Sequence, residues 1–305
     1  MKRWTFLSLV LAGCAAAPIG PFQNFQTSVK SAQSGLEAEM DRDVSWEREA
    51  EIQSVSEKKD AVLSGYMLKS TEGFQWTMGH PPEYWGARGV QKTLVELNAA
   101  FLGYASLLSS VVSGETADEA RFDAMASNLN KNLRGLSDTL VKMDRLPKAD
   151  KERAPVLSGF SAAVSEAFRA FIQNRRLKDL KAAIDENQPW VDTYSSISLS
   201  LIELIRADLK AAYADQMDSI QTRWDDKRAP GRATLTRSLF NLNEEYVDAM
   251  ASLESLSAFY GDLPAAHREL GATIRRGEKG RKALSALVES AGRVARLQHD
   301  LVKGK

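Results

Sequence analysis

The side chains able to do chemistry in this 305-residue chain are few and scattered. There is one cysteine, Cys14, so neither an internal disulfide nor a cysteine metal cluster can form. The three histidines, His80, His267 and His299, lie far apart, and none sits three or four residues from another. The Glu-x-x-His spacing of di-metal helix bundles is missing too, so the spacing implies neither a metal nor a cofactor. A serine and a histidine base could still meet in space, because such triads assemble from distant segments. No nucleophile elbow points to one. The acidic pairs Glu244-Glu245 and Asp225-Asp226 are adjacent residues, which leave a helix on different sides. The residues therefore favour a non-catalytic protein, with Cys14 the one position where chemistry is expected.

Cys14 ends a segment of recognisable make-up. Lys2 and Arg3 are basic, Trp4 to Leu11 is a short apolar run, and Ala12 and Gly13 are small. These are the marks of a secretory signal. The run is far shorter than the roughly 20 residues a spanning helix needs, and it reads as the only stretch fit to meet a membrane. Small side chains before the cysteine let a peptidase approach the backbone, and a thiol is the nucleophile from which a thioether can form. Leu11-Ala12-Gly13-Cys14 resembles the lipobox of bacterial lipoproteins, a likeness that covers Met1 to about Ala15. It implies removal of residues 1–13 by a cut between Gly13 and Cys14, and diacylglyceryl and acyl (palmitate-type) chains on Cys14. Several acyl chains hold a membrane stably at about 0.8 kcal/mol per buried CH₂, whereas one alone holds only marginally. Ala15 stands where the family's inner-membrane retention signal would have Asp, which implies the outer membrane, facing the periplasm.

The composition fits an exported domain without disulfides. It is 44% apolar and 26% charged, and its length can bury a sizeable core. Basic and acidic residues number 40 each. A balanced chain offers no electrostatic case for nucleic acid, which calls for a strongly basic face.

Residues 14–21 read as a flexible tether, and 22–305 as one helical domain. Apolar residues recur at three- and four-residue steps from Phe22, Phe25 and Val29 through Met40, again from Leu94 to Val111, and from Phe122 to Met143. Further stripes run from Leu157 through Phe171 to Ile184, from Tyr194 to Leu209, from Leu235 to Tyr260, and from Leu270 to Leu301. Thr116 to Glu119 has the form of a capping box. Pro147, Pro189 and Pro230-Gly231 mark breaks, and Gly261-Asp262-Leu263-Pro264 reads as a stop and restart with Asp262 as N-cap. No stretch alternates with the period of a strand. The expected fold is all-α: an elongated antiparallel bundle of about six or seven long helices with coiled-coil-like packing.

Two stretches stand out within it. Residues 74–89, FQWTMGHPPEYWGARG, have no helical period and concentrate aromatic rings. Trp76, His80, Tyr84 and Trp85 are the candidate binding residues, since Trp and Tyr anchor interfaces, although a cap over the bundle end explains them more simply. Arg268 to Lys305 carries ten bases and four acids, whereas Glu37 to Asp60 carries nine acids and four bases. The simplest account sets these two segments side by side; the sharper one turns the basic helix toward anionic lipid or an acidic partner. The functional expectation is a membrane-attached scaffold that holds an envelope protein partner near the outer membrane. The alternative is a binder of a small apolar ligand, in a core pocket lined by Phe101, Phe160, Phe168 and Phe171 or under the aromatic segment.

Overall fold

The computed structural model describes residues 19–57, 69–70, 76–77, 84–113, 119–158, 169–171, 173, 177–225, 231–276 and 282–303. Eight helices lie among them: α1 (Ile19–Glu57), α2 (Tyr84–Ser113), α3 (Glu119–Lys142), α4 (Lys148–Ser158), α5 (Leu177–Glu186), α6 (Gln188–Asp225), α7 (Arg232–Arg276) and α8 (Lys282–Lys303). The all-α bundle is as expected. One two-residue antiparallel ladder was not: β1 (Lys69–Ser70) pairs with β2 (Trp76–Thr77). It is too short for alternation to reveal.

The long helices set the dimensions. At 1.5 Å per residue, the 39 residues of α1 span about 58 Å and the 45 of α7 about 67 Å. α1 packs on α2, α6, α7 and α8, and α6 and α7 form a long hairpin; α3 and α4 lie against α2 and α6. Phe22, Phe25, Val29, Ala32, Leu36 and Met40, the first stripe, are all buried. Their three- and four-residue spacing puts them on one face, and that face meets the rest of the bundle.

Helix α1 starts at Ile19, so Gly20 and Pro21 belong to its first turn and not to a tether. Proline costs nothing there, because its missing N–H would have had no partner in the helix. The α6–α7 turn falls where the sequence placed it. Gly231 has φ 96°, a conformation that side chains disfavour, and its carbonyl receives the N–H groups of Thr234 (2.8 Å) and Leu235 (3.1 Å) that open α7. Asn187 separates α5 from α6, just ahead of Pro189.

The expected break at Pro264 does not occur; α7 runs straight through it. Proline leaves the carbonyl of Tyr260 without its helical donor. The Ser195 hydroxyl of α6 donates to that carbonyl at 2.7 Å and makes good the loss. Asp262 is no cap: its carboxylate accepts from the Ser290 hydroxyl of α8 at 3.1 Å. The basic C-terminal segment falls on two helices, the end of α7 and α8, which run antiparallel because Leu284 meets Glu269 and Ser290 meets Asp262.

Two helix starts are capped from a neighbouring helix. The N–H of Tyr84, which opens α2, donates to Glu51 of α1 at 3.3 Å, and that of Leu284 in α8 to Glu269 of α7 at 2.6 Å. A carboxylate there satisfies an orphan donor and meets the positive end of the helix dipole.

Cross-contacts give the register. Phe25 faces His267, and Trp46 bonds Glu245, so α1 and α7 run antiparallel. The 22 residues of α8 lie along about the last half of the 45 of α7, and hence beside the first half of α1. The acidic run beginning at Glu37 therefore overlaps the basic helix only at its end. Two bases of the C-terminal segment pair elsewhere: Arg268 with Asp192 of α6 at 3.3 Å, and Arg293 with Glu289 of its own helix at 3.3 Å.

Glu39 lies inside the α1–α7 interface with 1% of its surface exposed. Among the described residues no hydrogen bond reaches either carboxylate oxygen, and Arg42 stands 3.4 Å away. Burial raises its pKa above the carboxylate value. Arg42 opposes the shift, and Asp248 adds to it. Keeping this charge at neutral pH destabilises the fold. Glu39→Met is expected to raise stability by about 1 kcal/mol or more at pH 8. A raised folded pKa costs stability above it and nothing below the unfolded value of 4.5, so the gain should disappear in acid. Urea midpoints at pH 8 and pH 4 check both halves.

Candidate functional site

The densest chemistry among the described residues is a set of rings and polar groups where four helices meet, which sequence spacing did not disclose. It comprises Phe25 (α1), Asn98, Phe101 and Tyr104 (α2), Gln188, Trp190 and Tyr194 (α6), and Tyr260 and His267 (α7). Phe101 stacks on Tyr194 at 4.2 Å between centroids and on Trp190 at 5.4 Å. Phe25 and Tyr104 close on it at 6.0 and 5.8 Å.

Two hydrogen-bonded chains thread the rings. In the first, Tyr194 and Tyr260 both donate to Asn98 Oδ1, at 2.6 and 2.9 Å. Asn98 Nδ2, on the other side of that amide, is buried without a partner among the described residues. In the second, Gln188 Nε2 donates to Asp192 Oδ1 (2.7 Å) and to the Pro264 carbonyl (3.2 Å), which turns its Oε1 toward His267. An amide oxygen only accepts, so His267 carries its proton on Nδ1 and donates to Gln188 at 2.8 Å. Nε2 then accepts from the Tyr104 hydroxyl at 2.6 Å. The chain ends at the surface, where Asp192 meets Arg268.

A tyrosine hydroxyl bonded to a histidine that is itself oriented by a third group has the outline of a nucleophile and its base. The surroundings deny it that role. His267 and Tyr104 are sealed from solvent. Burial, aided by Arg268, lowers the His267 pKa to about 3, and burial pushes the Tyr104, Tyr194 and Tyr260 hydroxyls upward. Neutral groups making internal hydrogen bonds fix the register of the helices. Among the described residues no three His, Cys, Asp or Glu side chains gather to hold a metal.

The residues expected from sequence fare unevenly. Gly13, Cys14 and His80 lie outside the described residues, as do Phe160 and Phe168. Trp76 is in β2, while Tyr84 and Trp85 begin α2, so the segment expected to be irregular through Gly89 is helical from Tyr84. Tyr84 is half-buried. Phe101 and Phe171 are buried, and Phe101 is surrounded by the rings of Phe25, Tyr104, Trp190 and Tyr194. The space beside Phe101 is thus occupied by side chains, while Phe160 and Phe168 of the expected pocket lie outside the described residues.

An open groove of about 400 Å³ lies elsewhere, between the start of α2 and the end of α3. Gly89, Val90 and Thr93 form one wall, and Thr139 and Lys142 to Arg145 the other. The hydroxyls of Thr93 and Thr139 bond back to the carbonyls of Gly89 and Gly135, so both threonines have their polar end engaged by backbone. By length and composition alone, Arg88–Ser113 of α2 could span a membrane, so Trp4–Leu11 is not the only stretch apolar enough to meet one; 56% of the most apolar window of Arg88–Ser113 is buried inside the bundle.

No family model, curated protein or solved structure matches the chain.

Proposed function

We propose that the protein is a bacterial lipoprotein, attached by acyl chains on Cys14 to the periplasmic side of the outer membrane, and that its helical bundle is a non-catalytic scaffold for an envelope protein. The observation that carries this reading is Leu11-Ala12-Gly13-Cys14 behind a basic, short apolar segment. Two features support the scaffold role. α1 begins at Ile19, so only four residues separate it from Cys14, and fully extended they reach at most about 14 Å. The bundle then carries its far end about 58 Å along α1. The sealing of Tyr104 and His267 also speaks against catalysis by that pair.

Cys14→Ser is expected to move the protein from the membrane fraction to the soluble fraction or to an unprocessed precursor. Intact-mass measurement of the wild type should show acyl chains on an N-terminal Cys14. An uncleaved Gly13–Cys14 bond with a free thiol would sink the proposal.

The alternative, a small apolar ligand, draws support from the groove, which begins at the last residue of the aromatic segment, Gly89. Its volume is within the range of ligand sites, although it is open. On that reading an environment-sensitive apolar dye brightens with wild type and at least about tenfold less with Met143→Lys. Equal brightening by both proteins removes the groove as the site.

A further inference from the structure

We infer that the outward face of α7 near the α6–α7 turn is a self-association surface, whose occupant is the same face of a second copy lying antiparallel. The two most exposed large apolar side chains among the described residues are on it: Phe240, 59% exposed, and Val247, 65% exposed. They are about two helical turns apart and so lie in one line. Ala233, as far before Phe240 as Val247 is after it, continues that line and is exposed. At about 100° per residue this line runs opposite the buried stripe of Leu235, Leu242 and Ala249. It is therefore a second apolar seam on a helix whose first seam is already used.

The flanking charges choose the occupant. Arg237 and Glu244 are both exposed, on the same side of the line and about one turn either side of Phe240. Neither forms an ion pair with another described residue. In an antiparallel pair of helices, residues on the same side of the seam face each other across the twofold axis. An axis passing between residues 240 and 241 sets Arg237 of each copy opposite Glu244 of the other, twice. It brings the two Phe240 rings together and sets each Val247 near Thr234 of the other copy. A parallel pair offers neither charge match. The contact is short, so the association is weak and reversible. It does not depend on the lipid anchor.

The single cysteine makes a clean test. The full chain carrying Cys14→Ser and Phe240→Cys, in mild detergent, has one thiol. A short bis-maleimide should link it into a dimer at micromolar concentration, whereas Cys14→Ser alone has no thiol and should stay unlinked. In sedimentation, Phe240→Asp should weaken the dimer at least about tenfold. Arg237→Glu should weaken it likewise, and adding Glu244→Arg should restore it. These positions are exposed, so the variants fold. A monomer at every concentration in sedimentation of Cys14→Ser, which keeps the Phe240 ring, overturns the proposal. So does a dimer that the charge exchange fails to restore, or a thiol at position 240 that links only to another protein in envelope extract.

Discussion

Phe101→Ala is expected to lower the melting temperature by on the order of 10 °C. The ring is fully buried and packs against four others: Tyr104 of α2, Trp190 and Tyr194 of α6, and Phe25 of α1. Truncating such a ring typically costs about 3–5 kcal/mol, because the transfer energy is lost and the cavity collapses only in part. For a domain of this size each kilocalorie is worth roughly 2–4 °C. Collapse is resisted here by Tyr104 and Tyr194, which their hydrogen bonds to His267 and Asn98 hold in place. Phe101→Leu keeps much of the volume and should cost less than half as much. A melting temperature within about 2 °C of wild type for Phe101→Ala would mean that the four-helix junction is loosely packed.

The contrast between that junction and the helices around it shows what the sequence made legible. Phe22 to Met40 is a stripe whose meaning is local: the helix is its own ruler, and any buried face needs residues at that spacing. Gly231 was legible for a similar reason, since a left-handed turn calls for glycine. The Tyr104–His267 pair was not legible. The two residues are 163 positions apart, and each alone is an ordinary residue of a helical stretch. Pro264 misled because the rule that proline ends a helix assumes that the freed carbonyl has no other donor. Ser195 supplies one to Tyr260, 65 positions away. The candidate binding residues failed to separate from structure for a further reason: an aromatic-rich segment looks the same whether it caps a bundle or meets a partner.

His267 should make the protein acid-sensitive in a definable window. Its pKa is about 3 in the folded protein, against 6.5 when solvated. The cause is burial first and the neighbouring Arg268 second. A depressed folded pKa means that the unfolded chain binds the proton more readily. The stability that the neutral imidazole contributes is therefore intact above pH 6.5 and is lost as pH falls toward 3. At about 1.36 kcal/mol per pH unit, the gap corresponds to roughly 5 kcal/mol in full, and to about half of that by about pH 4.5. Glu39 acts with the opposite sign, since its raised pKa makes acid favourable, so the slope of the wild type alone understates the histidine. The difference between wild type and His267→Gln removes that interference. Gln can accept from Tyr104 and donate to Gln188 without titrating. His267→Gln is expected to be the less stable of the two at about pH 7.5, by about 1–3 kcal/mol, because the replacement fits the ring-lined site poorly. The deficit should shrink steadily as pH falls and reverse near about pH 4.5, read from urea midpoints at each pH. A deficit that stays constant over that range would mean that His267 takes up its proton in the folded bundle, and that the Tyr104–His267–Gln188 chain opens to water in acid.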